Sequence, residues 1–124
     1  MGRPLPRRYL TASQTGGTPV MERACFTFEI YPGKEAEYQR RHDEIWPEMV
    51  EALKASGFSN YTLFRRGTTI HAYVECHPDR DTAFAAMGAT EVNRRWSAWF
   101  EDVIVRLTDE DGNPFWADEV WHLQ

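Results

Sequence analysis

Two stretches of this chain alternate residue by residue, and that two-residue period restricts the fold more than any other feature. Between Glu22 and Ile30, Phe26, Phe28 and Ile30 fall on one side and Cys25, Thr27 and Glu29 on the other. Between Thr69 and Cys76, Ile70, Ala72 and Val74 oppose His71, Tyr73 and Glu75. Successive side chains of a strand point to opposite faces, so each stretch predicts a strand with one face on a core. A third run, residues 60–65, reaches Thr69 through Arg66-Gly67-Thr68, where Gly67 can adopt the positive φ of a tight hairpin.

The segments between these strands carry helix signals. Tyr31-Pro32-Gly33 ends the first strand, Glu35 and Glu37 favour a helix start through the macrodipole, and Ser56-Gly57 supplies a stop. One helix is expected over residues 33–55, with Ile45, Met49, Ala52 and Leu53 as its aliphatic stripe. Pro47 cannot donate to the carbonyl of Asp43 and its ring crowds that turn, so a kink or break is expected at residues 43–47. Pro78-Asp79-Arg80-Asp81 opens a second helical region expected to reach residue 107, with Gly88 as a point of interruption. After the polar turn at residues 109–114, residues 116–123 read as a closing strand.

The resulting order is βαββαβ: an α+β fold of the ferredoxin-like kind, an antiparallel sheet covered by helices on one face. The other face also carries bulky groups, His71, Tyr73 and Glu75, and needs a cover. A second copy of the sheet would supply it, giving a homodimer of the kind called a dimeric α+β barrel.

With 124 residues and 42% hydrophobic content, one domain is expected over residues 21–124. Residues 1–20 are rich in Pro, Gly, Thr and Arg without hydrophobic period and are expected to be a flexible N-terminal extension. A net charge of −5, from 19 acidic and 14 basic residues spread along the chain, argues against a nucleic-acid partner. The pairs Arg40-Arg41, Arg65-Arg66 and Arg94-Arg95 read as solvated surface. No apolar run is long enough to span a bilayer and the N-terminus lacks a secretory core, so no membrane partner and a cytoplasmic location are expected. Cys25 and Cys76, on strands and without CxxC spacing, are expected as free thiols.

Tyr38, His42 and Trp46 stand at i, i+4 and i+8 of the expected first helix, on one stripe. An aromatic stripe of this period usually faces a core. Its residue types also suit a sugar: rings pack on the C–H faces of a pyranose, phenols donate to its oxygens, and an imidazole titrating near 6.5 gives or takes a proton. Other chemistry finds little support. Asp109, Asp111 and Asn113 have alternate-residue spacing, but the glycine is misplaced for a calcium loop and no bidentate acid follows. His42, His71, His77 and His122 lack HExxH or paired-cysteine spacing, and phosphate-cradling glycine motifs and a GxSxG elbow are missing.

The run Tyr38-Gln39-Arg40-Arg41-His42, then Ile45-Trp46-Pro47-Glu48, Asn60-Tyr61 and Arg95-Trp96 together closely resemble the L-rhamnose mutarotase family, from about Glu22 to the C-terminus. The resemblance implies a dimeric α+β barrel that interconverts the α and β anomers of L-rhamnose or a related 6-deoxyhexose, without metal or organic cofactor. It implies His42 as the proton donor, acting as imidazolium or through its neutral N–H, and Tyr38, Tyr61 and Trp96 as sugar contacts. At one position the chain departs: the family shows two consecutive tryptophans where Trp96 is followed by Ser97. Ser97 thus takes the place of one wall of the sugar site. Trp99, three residues on, reads as helix-to-sheet packing with filling of that wall as the alternative. The same barrel also hosts cofactor-free monooxygenases and noncatalytic binding dimers, and fold alone does not choose among them.

Overall fold

The computed structural model describes residues 20–124; the extension expected over residues 1–20 lies, Val20 apart, outside the described residues. The elements are β1 (Glu22–Ile30), α1 (Glu35–Asp43), α2 (Pro47–Ser56), β2 (Phe58–Arg66), β3 (Thr69–Cys76), α3 (Arg80–Gly88), α4 (Glu91–Trp99), β4 (Ile104–Arg106) and β5 (Phe115–Ala117). The fold is α+β with an antiparallel sheet and four helices, consistent with the ferredoxin-like arrangement. The sheet order is β2-β3-β1-β4, and β5 continues along the same edge of β1. Cys25 to Thr27 pair with β5, whereas Glu29 and Ile30 pair with β4.

The two-residue period sets which face is dry. Ala24, Phe26, Phe28 and Ile30 of β1 and Ile70, Ala72, Val74 and Cys76 of β3 are all buried. They are paired directly across the strands, Phe26 with Ala72 and Phe28 with Ile70. Met49, Ala83, Met87 and Val92 from the helices and Phe100 just after α4 cover them. Burying such side chains contributes roughly 1.5–3 kcal/mol each and accounts for most of the drive to fold.

The expected break at Pro47 is present and complete. α1 ends at Asp43, Trp46 is extended at ψ 134°, and Pro47 takes the first position of α2. A proline has no N–H to lose there, and its ring forces the preceding residue out of helical conformation. α2 closes on Gly57 at φ 107°, whose N–H reaches the carbonyls of Leu53 and Lys54. The hairpin follows, with Gly67 at φ 61° in a two-residue loop between the paired Arg66 and Thr69.

The second helical region is interrupted at Gly88, as expected, but it ends short of residue 107. Thr90 caps α4 by accepting from the N–H of Asn93 at 3.2 Å. α4 stops at Trp99, and Ile104–Arg106 form a strand. Three consecutive β-branched residues, Val103-Ile104-Val105, favour the strand over continued helix, although Phe100 and Val103 keep the helical period. The closing strand is likewise only Phe115–Ala117, after which Val120, Trp121 and Leu123 are strongly exposed.

β2 is irregular near its start. Ser59 pairs with Glu75 but Thr62 with Tyr73, so β2 carries one extra residue there, with Asn60 at φ 48°. A single inserted residue reverses which face later side chains point to. Phe58, Tyr61 and Leu63 consequently share the helix-covered side.

Candidate active site

A cavity of about 480 Å³ lies between the helix-covered side of the sheet and α1–α4, bounded at one end by the loop after β4. Its size suits a small organic ligand. Phe26 and Phe28 form the floor, Tyr38 and His42 one wall, Phe58, Tyr61 and Leu63 a second, and Asn93, Trp96 and Ser97 a third. Thr108, Gly112 and Pro114 reach it from the loop. The first aspartate of that loop is committed to local order: Asp109 Oδ1 accepts from the backbone N–H groups of Asp111 and Asn113, each at 2.9 Å.

All five residues singled out in the sequence, Tyr38, His42, Tyr61, Trp96 and Ser97, line this one cavity. The Tyr38 and His42 rings are 4.4 Å apart, as i and i+4 of α1 dictate. The indole of Trp96 meets His42 edge-on at 5.5 Å, and Phe100 backs both, at 5.2 Å from His42 and 4.8 Å from Trp96. Tyr61 comes from the bulged strand, 5.8 Å from Phe58.

The protonation state of His42 follows from its neighbours. Nδ1 lies 2.9 Å from the carbonyl oxygen of Tyr38. A carbonyl only accepts, so Nδ1 carries the hydrogen and neutral His42 presents Nε2 as a bare lone pair. Among the described residues no hydrogen bond engages Nε2, and no buried side-chain nitrogen or oxygen is left sealed without a partner, so Nε2 retains open surface. Burial lowers the imidazole pKa from its ordinary value, against the smaller raising effects of the Tyr38 carbonyl and Asp43. At neutral pH the ring is therefore an uncharged acceptor. The neutral N–H expected as a donor is already spent on Tyr38.

The two phenols remain protonated. Burial raises the pKa of both well above the usual phenol range; Tyr38 is pushed further by the neighbouring Tyr61, and Tyr61 by Cys76. Tyr61 is 39% exposed as a residue, yet its phenol end is deep enough for burial to dominate. Neither hydroxyl is bonded to protein among the described residues, so both O–H groups are available to a ligand.

Two expectations are corrected. Trp46 does not continue the stripe, because α1 ends before it; its ring instead stacks on Trp99 at 5.2 Å and meets Trp96 edge-on at 5.1 Å. Trp99 is thereby packing and does not fill the place beside Ser97. Arg41 is not solvated surface: it is 7% exposed, donating to Glu37 at 2.6 Å, to the Trp99 carbonyl at 2.6 Å and to both Asp102 oxygens at 3.1 and 3.2 Å. It ties α1 to the end of α4 and so holds His42 against Trp96. Asn93 was not singled out in the sequence at all. It stands three and four residues before Trp96 and Ser97 on one helix face, the spacing that could have revealed it.

Fold and cavity together define an α+β protein with a ligand-sized cavity beside an uncharged imidazole and two protonated phenols. The model of the L-rhamnose mutarotase family matches residues 23–123, and the chain belongs to that family. The chain is 40% identical over 94 residues to the L-rhamnose mutarotase of Burkholderia orbicola (strain MC0-3), covering 76% of this chain and 88% of that one. It is 36% identical over 107 residues to that of Listeria monocytogenes serovar 1/2a, covering 83% and 99% respectively. Among solved structures it is similar to the L-rhamnose mutarotase of Formosa agariphila, with a TM-score of 0.66 over 82% of this chain and 98% of that one. At 24% identity that likeness concerns the fold.

Proposed function

We propose that this protein interconverts the α and β anomers of L-rhamnose or a closely related 6-deoxyhexose by acid-base ring opening and reclosure, with His42 as the residue that moves the proton. Family membership supports the reaction, and the Nδ1–H bond from His42 to the Tyr38 carbonyl carries the role. Nε2, unprotonated at neutral pH, takes the proton from the anomeric hydroxyl as the bond between C1 and the ring oxygen breaks. A phenol O–H of Tyr38 or Tyr61, or a water held between them, supplies a proton to the ring oxygen. The product is the open-chain aldehyde. Rotation about the C1–C2 bond presents the other carbonyl face, the hydroxyl that was the ring oxygen adds back as its proton returns to the phenolate or water that supplied it, and His42, now imidazolium, returns its proton to the new anomeric oxygen. Protons balance over the cycle and no group is consumed.

The binding side follows from the rings. Trp96 offers a face to the C–H surface of the pyranose and Ser97 a hydroxyl at the adjoining wall. No helix among the described residues is long and apolar enough to cross a membrane. A cytoplasmic homodimer fits this reading, since the uncovered sheet face exposes Phe64 at 61% and Phe115 at 38%. A second copy packed face to face would remove both from water.

Polarimetry tests the reaction directly. Freshly dissolved crystalline L-rhamnose of one anomeric form relaxes to its equilibrium rotation; catalytic protein is expected to shorten that relaxation in proportion to its concentration. Relaxation at the buffer rate would refute the assignment.

A further inference from the structure

The geometry points to Asn93, with Ser97 one helical turn beyond it, as the specificity-determining pair of the cavity: its amide binds a hydroxyl of the monosaccharide away from the reacting carbon. This inference rests on the mutarotase reading and adds to it which protein group reads the sugar's polyol edge.

Asn93 differs from the other side chains around it. The cavity is walled mostly by hydrocarbon and aromatic surface, Phe26, Phe28 and Leu63 among it, whereas Asn93 brings a carboxamide with one acceptor and two donor hydrogens. It is half-buried. Its backbone N–H is used by the Thr90 cap at 3.2 Å, but among the described residues its side chain makes no hydrogen bond. Its amide is not sealed, since no buried side-chain nitrogen or oxygen among the described residues lacks a partner, so it keeps open surface at a ligand-sized cavity where a ligand can take the place of water. A sugar hydroxyl both donates and accepts, which is the complement of an amide.

Position decides which part of the ligand it meets. On α4 Asn93 precedes Trp96 by three residues and Ser97 by four, so both are its neighbours on one helix surface. Trp96 is the α4 residue in ring contact with His42, at 5.5 Å. Among the described residues, no ring or hydrogen-bond contact joins Asn93 to His42. A pyranose lying on Trp96 with its anomeric carbon at His42 therefore reaches Asn93 and Ser97 with carbons remote from C1. Contacts there are made equally in the ground state and the transition state, so they set affinity and selection rather than turnover. A site with a buried hydrogen-bonding group also rejects an analogue lacking the matching hydroxyl more strongly than an apolar wall does.

The test uses the full-length protein, L-rhamnose and its 2-, 3- and 4-monodeoxy derivatives. Affinity is read by tryptophan fluorescence, and anomer exchange at saturation by NMR. In Asn93→Ala and Asn93→Leu, affinity for L-rhamnose is expected to fall about fivefold, the worth of one neutral hydrogen bond, with saturated exchange within about twofold of wild type. One monodeoxy derivative should bind wild type correspondingly weakly and show no further loss in the Asn93 variants. Ser97→Ala should give a smaller loss on the same derivative. Unchanged affinity for L-rhamnose in both Asn93 variants, equal losses for every derivative in wild type and variants, or no sugar binding by wild type would each overturn the inference. Wild type that binds sugar through Asn93 yet does not accelerate exchange would uphold the inference and refute the mutarotase reading.

Discussion

The Nδ1–H of His42 donates to the carbonyl oxygen of Tyr38, four residues earlier on the same helix and 2.9 Å away. That bond fixes the tautomer, turns Nε2 to the cavity and, with burial, determines at which pH the site is ready. Since burial lowers the His42 pKa, the acceptor form dominates at neutral pH, and protonation removes it only in acid. Exchange measured from pH 5 to 8 is expected to stay flat through neutrality and to fall on an acidic limb whose midpoint lies below the ordinary histidine value of about 6.5. A limb centred above 6.5 would mean that charged His42 is the stable form.

The same lowered pKa bears on stability. The unfolded chain binds a proton at His42 below about 6.5, and the folded chain only at lower pH. The penalty is absent above about 6.5, grows as pH falls past that value, and is complete below the folded pKa. Thermal unfolding of wild type should therefore lose more on acidification through this window than that of His42→Gln, measured side by side by circular dichroism. Parallel losses in the two proteins would count against a buried neutral imidazole.

Tyr38 separates function from packing. Its ring is 6% exposed and packs on Phe28 and Phe100, but its hydroxyl is bonded to no protein group among the described residues. Tyr38→Phe keeps the ring, so stability should change by less than about 1.5 kcal/mol. Exchange should fall about tenfold, as loss of one hydrogen bond to the reacting sugar implies. An exchange rate equal to wild type would assign the hydroxyl no part in the reaction.

Among the glycines of the described residues, Gly57 is the least replaceable. At φ 107°, a Cβ added there would stand 2.0 Å from the carbonyl oxygen of His77, which is backbone and cannot turn aside. The same two residues are joined by the His77 N–H to Gly57 carbonyl bond at 2.8 Å. Gly57→Ala is expected to destabilise by more than about 2 kcal/mol, read as a lowered urea midpoint. An unchanged midpoint would show that the α2–β2 junction relaxes freely.

Much of this was legible in the chain because it depends on local rules. The two-residue period gave β1 and β3, Pro47 gave the break between α1 and α2, and the i, i+4 spacing gave the Tyr38–His42 pair. What was not legible depends on distant partners. β4 exists because Ile104 and Arg106 find β1, which the apolar helical period of Phe100 and Val103 disguised. Arg41 is buried only because Glu37, Asp102 and the Trp99 carbonyl converge on it, and a run of charges does not announce convergence. Tyr61 reaches the cavity through one inserted residue at Asn60, a bulge that alternation alone places on the wrong face.

The uncovered sheet face makes the proposed homodimer measurable. Phe64, 61% exposed and opposite His71 on β3, lies on the edge strand β2, on the sheet face turned away from the cavity. Wild type should sediment as a dimer, and Phe64→Asp should shift it toward monomer by placing a charge in a buried interface. A wild-type protein monomeric at high micromolar concentration would refute the sheet-to-sheet dimer.

The most direct measurement is the exchange rate between the two anomers of L-rhamnose at equilibrium, by saturation-transfer NMR, with wild type and with a folded His42→Ala variant in parallel. The account predicts accelerated transfer with wild type and a loss of about 10²–10⁴ in the variant. Equal acceleration by both proteins, or none by wild type, would contradict it.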